Sequence, residues 1–119
     1  MSAIAKLSTV ILDCPEPAVL AAFYGKVTGL AVGYSDDDMI YLGDDTGVQL
    51  GFQRVAGYGA PGWPDDRKQA HFDFSVADVD AAVKELTALG ATVPDFQPGG
   101  EGWTVLADPV GHLFCVSAG

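Results

Sequence analysis

Apolar and polar positions alternate near the start of the chain and then change period. Ser8–Cys14, STVILDC, is rich in β-branched residues and alternates, so it predicts a strand. Pro15-Glu16-Pro17 stops that strand and opens a helix, because proline suits a first helical turn. In AVLAAFYGKVTG the apolar residues Val19, Leu20, Phe23 and Val27 recur at helical spacing, and Gly29 ends the run. Three short strand candidates follow: LAVGYS, MIYLGD and VQLGFQ. Asp36-Asp37-Asp38 and Asp44-Asp45-Thr46-Gly47 supply the turns between them.

The same series then repeats. AHFDFSV, residues 70–76, reads as a strand. Asp78 caps a helix whose apolar face is Val79, Ala82, Val83, Leu86 and Leu89, and Gly90 ends it. ATVPDF, WTVLAD and LFCVSA are the next strand candidates, with turns at Gln97–Gly102 and Asp108–Gly111. Thr9 and His71 hold equivalent places in the two halves, as do Gly29 and Gly90, and Gly47 and Gly111. The expected fold is α+β: two βαβββ modules forming an eight-stranded curved sheet around a cleft. One helix cannot cover both faces of a four-stranded sheet, which leaves an inner face open. The expected organisation is one domain over 1–119, with module 1 at 1–53, a linker at 54–69 and module 2 at 70–119.

Strand parity says what lines the open face, because successive side chains point to opposite sides. Val10, Leu12 and Cys14 are expected in the core, and so are Val48, Leu50 and Phe52. Phe72, Phe74, Phe114 and Val116 join them from the second half. Thr9, Ile11, Asp13, Gln49, Gly51 and Gln53 then face the cleft. From the second half, His71, Asp73, Ser75, Leu113, Cys115 and Ser117 do the same.

Composition narrows the function. The chain has 119 residues, 49% of them hydrophobic and 18% charged, which excludes disorder. Its formal charge of −10 argues against nucleic acid and against anionic membranes. It suits a cationic small ligand, although solubility alone also explains an acidic surface. No apolar run approaches the roughly 20 residues of a membrane span. The start, MSAIAKLSTV, lacks the long apolar centre of a signal peptide, so a cytoplasmic location is expected. Cys14 and Cys115 make no CxxC pair, and their parity puts them on opposite faces, so neither a disulfide nor structural zinc is expected.

LDCPEPAVLAAFYGKVTGL, AHFDFSVADVDAAVKELTALGA and LADPVGHLFCV together resemble the vicinal oxygen chelate superfamily. That superfamily includes glyoxalase I, extradiol dioxygenases, and fosfomycin and bleomycin resistance proteins. The resemblance is nearest to small actinobacterial-type glyoxalase-like proteins, and it covers nearly the whole chain. It implies the fold already expected. In metal-dependent members it also implies a divalent ion held by His, Glu or Gln on the first, fourth, fifth and eighth strands. Carried onto this sequence, those positions are Thr9, then Gln49 (or Gly51 by the internal repeat), then His71, then Cys115. His71 matches; Thr9 stands where His is usual and Cys115 where Glu is usual. Hard cations want carboxylate oxygens, so no cofactor is expected. If a metal binds, His71 and Cys115 would hold it, and zinc, nickel, manganese and iron are the candidates.

The expected function is small-molecule binding of the glyoxalase or bleomycin-resistance type, without the usual metal. Thr9, Gln49, Gln53, Asp73 and Cys115 would provide polar contacts, and Trp63 and Trp103 an aromatic wall. A cationic, antibiotic-like ligand fits the charge. The alternative is a lyase, isomerase or dioxygenase-like enzyme using His71 as acid, base or metal ligand. The competing readings are plainer. In them His71 simply bonds a neighbour across the sheet, Cys115 is an inert thiol, and Trp63 is a dimer anchor. Arg54 offers a guanidinium to a ligand carboxylate, or a surface role. His112 is read as a turn residue and the three aspartates from Asp36 as a solvated turn. Exposed sheet edges and the family resemblance both suggest a homodimer.

Overall fold

A computed structural model describes residues 3, 5–60, 62–65 and 69–118. The chain divides into two compact units, Met1–Tyr58 and Gly59–Gly119.

In the first unit, β1 (Thr9–Cys14) leads into α1 (Pro17–Thr28). Three strands follow: β2 (Val32–Ser35), β3 (Met39–Leu42) and β4 (Gln49–Arg54). They pair in the order β1-β4-β3-β2, with β1 parallel to β4 and the other pairs antiparallel. Pro17 starts α1 and Gly29, at φ 75°, ends it with its N–H bonded to the Gly25 carbonyl. The helix packs on β3 and β4. Leu20, Phe23 and Tyr24 meet Ile40, Leu42, Phe52 and Cys14 in a core shielded from water. The Tyr24 ring stacks on Phe52 with centroids 5.6 Å apart.

Three expectations for this unit fail. Val19 was expected to be inside and is 44% exposed, while Tyr24 is fully buried. The helix is apolar around most of its circumference, so its period does not single out one face; Pro17, Leu20, Ala21 and Tyr24 form the stripe that packs. Val48 is 47% exposed, because the ladder of β4 starts one residue later. β4 also runs through Arg54, which the sequence placed in a linker. The Arg54 guanidinium donates to the carbonyls of Pro15 and Asp37 and pairs with Glu16 and Asp38. It clamps the strand end to the start of α1 and to the β2–β3 turn, so its contacts are structural. The aspartate turn is built as expected: Asp36 Oδ1 accepts from the N–H groups of Asp38 and Met39.

The second unit repeats this connectivity with β5 (Phe72–Ser75), α2 (Val79–Ala88), β6 (Thr104–Ala107) and β7 (Leu113–Ser117). The order is β5-β7-β6, with β5 parallel and β6 antiparallel to β7. Asp78 caps α2 by accepting from the Ala81 N–H. Leu86 is buried, Val79, Ala82 and Val83 are half-buried, and Leu89 is exposed. Phe114, Val116 and Leu106 are fully buried, and Phe74 meets Phe114 edge-on at 5.7 Å. His112 sits in the last hairpin as expected. There its N–H and that of Val110 both donate to Oδ1 of buried Asp108.

The strand expected at Ala91–Phe96 shrinks to one bridge, Thr92 with Ala107. Thr92 and Ala107 exchange both backbone bonds. The next such pair in an antiparallel ladder would be Pro94 with Val105, and proline has no N–H to give. The Gln97 amide fills the gap. Its Nε2 donates to the carbonyls of Pro94 and Val105, and its Oε1 accepts from the Val105 N–H. A side chain thus finishes the ladder, and pairing yields a four-stranded and a three-stranded sheet rather than eight named strands. The fold class is α+β, as the sequence implied.

Candidate functional site

The face of the second sheet turned away from Phe74 and Phe114 carries the chemistry. Parity sends Asp73 and Ser75 to that face of β5, and His71 lies on the same side just before the strand. Register then sets their neighbours. Asp73 stands opposite Cys115 and Ser75 opposite Ser117 on the parallel β7, while Val105 on β6 stands on the other side of Cys115. His71 Nε2 is 3.2 Å from Asp73 Oδ1. A donor atom from each of His71, Asp73 and Cys115 lies within 4.8 Å of the others. Val105 and Leu113, 2% and 6% exposed, make the surface beside the thiol apolar.

A cavity of about 530 Å³ opens on this face. Val105, Leu113, Cys115 and Ser117 form its floor. His71 and Asp73 line one side, and Trp63 and Trp103 supply aromatic surface. The lining holds one carboxylate and no lysine or arginine among the described residues. Such a volume matches a small organic ligand.

Both indoles are held in place by their surroundings. Trp63 Nε1 donates to the Phe96 carbonyl at 2.9 Å, and its ring tilts against Phe96 at 5.9 Å. Trp103 lies against Gly99, where an added Cβ would stand 2.5 Å from the indole and 2.6 Å from the Trp103 carbonyl. Only glycine allows that approach. Gly111, at φ 96°, similarly has no room for a Cβ beside Ala60.

Of the expected site residues, the structure brings together His71, Asp73, Cys115, Trp63 and Trp103. Thr9, Gln49 and Gln53 belong to the first unit. Thr9 pairs in register with Gln49, and Asp13 with Gln53, on β1 and β4. Thr9 and Gln49 are half-buried and Gln53 is exposed. Val105, Pro98 and Gly102 also line the cavity, and sequence reasoning did not select them. The adjacent Gly99-Gly100 pair before Trp103 was the available signal for the turn that places them.

The hard divalent ion implied by the family resemblance fits these donors poorly. Thr9 and Gln49 offer neutral oxygens. Gly51, the alternative position, has no side chain, and a Cβ there would stand 2.8 Å from the Tyr41 ring. Cys115 replaces a carboxylate by sulfur. A small hard cation prefers six oxygen ligands, and this set does not provide them.

A family model described as a glyoxalase-like domain matches residues 9–117. No curated protein matches the chain. Among solved structures, a glyoxalase-related enzyme from Fulvimarina pelagi is 21% identical. That match covers 96% of this chain and 88% of that one, with a TM-score of 0.68. A glyoxalase/bleomycin resistance protein/dioxygenase family enzyme from Burkholderia phytofirmans PsJN is 22% identical. Coverage there is 94% and 97%, and the TM-score 0.69. A protein of Agrobacterium tumefaciens, solved in solution, is 21% identical, with coverage of 97% and 98% and a TM-score of 0.73. At these identities the likeness speaks to the fold.

Proposed function

Because the chain belongs to the glyoxalase-like domain family of the vicinal oxygen chelate superfamily, we propose that it binds a small organic molecule in the cavity of its second unit. Recognition works by stacking and charge, without coordination to a hard cation. The observation that supports this reading is the pairing of two positioned indoles with one carboxylate, Asp73, around a space of ligand size. An aromatic face and a carboxylate together select a flat cation. The chain's formal charge of −10 adds a favourable long-range field. A micromolar complex needs roughly 8 kcal/mol, which one stacked ring system and a few hydrogen bonds supply. A cationic glycopeptide of the bleomycin type and a phenanthridinium dye are suitable probes.

The chain has two tryptophans, and both line the cavity, so intrinsic tryptophan fluorescence reports on this site alone. Titration should quench or shift that emission saturably. Trp103→Ala should weaken binding by about 5- to 30-fold, the loss of one good aromatic contact. Cys115→Ala should weaken it less. Equal affinity in wild type and Trp103→Ala would refute the aromatic platform.

The 3.2 Å contact between His71 and Asp73 favours a second reading, a lyase or isomerase in which Asp73 orients His71 as acid or base. Chemical change in a bound compound, lost in His71→Ala with binding retained, would support it. No helix among the described residues is long and apolar enough to cross a membrane. A cytoplasmic homodimer completes the proposal. The exposed edge strand β2 supports pairing with a second copy, and light scattering on the purified protein tests it.

A further inference from the structure

We infer that the ligand of the second unit's cavity carries a hydrogen-bond acceptor, a carbonyl oxygen or a ring nitrogen, in addition to its cationic group, and that the Trp103 indole N–H selects it. This rests on the cavity being the ligand site. It narrows the ligand class from a flat cation to a flat cation with an acceptor.

The two indoles that line the cavity are not equivalent. Trp63 Nε1 donates to the Phe96 carbonyl at 2.9 Å, so Trp63 has only its ring to offer a ligand. Trp103 Nε1 meets no acceptor among the described residues. Its side chain lines the cavity and the residue is 45% exposed, so water partners that N–H until a ligand displaces it. Local structure puts the donor there. Trp103 lies two residues before Val105, and parity along β6 sends both to the cavity. The Gly102 N–H bonds back to the Gly99 carbonyl at 2.8 Å, closing the turn that lays the indole against Gly99. A donor held in this way gives up little freedom on binding.

The neighbouring polar groups make other demands. Ionised Asp73 only accepts, so it calls for a cation or a donor. The Ser117 hydroxyl donates or accepts by turning, so it selects neither. The His71 imidazole is engaged with Asp73 at 3.2 Å. An indole N–H is a donor only, so Trp103 is where an acceptor is demanded. A ligand that covers this indole without an acceptor strips water from the N–H and returns nothing. That penalty exceeds what an ordinary hydrogen bond gains, and it rejects the molecule that lacks the acceptor.

The test uses the full-length protein and matched probes, 6- and 7-acetyl-2-naphthamidine and their isopropenyl twins. Each pair is flat, cationic and equal in shape, and only the acetyl member has an acceptor. Isothermal titration calorimetry measures the affinities. Trp103→Phe keeps an aromatic ring and removes the N–H. In at least one pair, the ratio of acetyl to isopropenyl affinity should fall about 5- to 20-fold from wild type to Trp103→Phe. In nitrogen-15-labelled wild type the Trp103 indole signal, assigned with Trp63→Phe, should move downfield with that acetyl probe relative to its twin. Both twins bring the same ring, so their difference reads the hydrogen bond. Far-ultraviolet circular dichroism checks that the variants are folded. A ratio that Trp103→Phe leaves unchanged in both pairs, or an indole signal that treats the twins alike, would overturn this inference alone. Binding of neither twin would overturn the reading of the cavity and this inference with it.

Discussion

Replacing Gln97 by leucine removes the amide that completes the ladder between Pro94 and Val105, at little change in volume. Three hydrogen bonds disappear. The Val105 N–H and carbonyl lose their partners beside a residue only 2% exposed, and the Pro94 carbonyl loses one more. A buried group left unpaired costs about 1–3 kcal/mol. Half-buried Gln97 leaves water some access, so the whole change should cost about 2–5 kcal/mol. For a chain of this length, each kcal/mol lowers Tm by roughly 3–6 °C. Urea unfolding followed by circular dichroism measures the loss, and the slope m should stay constant. Gln97→Glu provides a sign check. A carboxylate still accepts from Val105 N–H but cannot donate, and it faces two carbonyl oxygens. Its folded-state pKa must rise above the unfolded value. Protonation then favours folding, so the deficit relative to wild type is largest at neutral pH and shrinks as pH falls towards about 4. A Gln97→Leu protein within about 0.5 kcal/mol of wild type would refute the idea that this side chain stands in for a strand.

Gly99→Ala should move Trp103, because the new Cβ would fall 2.5 Å from the indole; a changed emission maximum together with weakened probe binding checks it. Unchanged emission and binding would show that the indole is not seated there. Arg54→Ala should cost about 1–3 kcal/mol, mostly through its bonds to the backbone carbonyls of Pro15 and Asp37, so added salt should recover little of the difference in urea midpoints. The Tyr34 hydroxyl and the backbone N–H groups of Asp38 and Met39 hold the Asp36 carboxyl below its ordinary value of 3.8. A depressed carboxyl stabilises the fold above its unfolded pKa and stops doing so as pH falls through the folded one. Wild type should therefore lose more stability below about pH 4 than Asp36→Asn, as read from acid-unfolding curves.

Local pattern determined a good deal of this protein. Alternation in AHFDFSV and LFCVSA put His71, Asp73 and Cys115 on one face, since parity within a strand needs no knowledge of its neighbours. Proline, glycine and aspartate marked both helices and most turns, since each imposes a backbone geometry by itself. Register, packing and exchange of partners are decided only when distant segments meet. That Asp73 stands opposite Cys115 follows from the parallel pairing of β5 with β7, about forty residues apart in sequence. That Tyr24 rather than Val19 is buried follows from the Phe52 ring it stacks upon. ATVPDF alternates like a strand, yet its fate turned on one missing N–H at Pro94 and on an amide three residues later that could reach Val105. Periodicity records which way a side chain points; only the folded chain settles what it finds there.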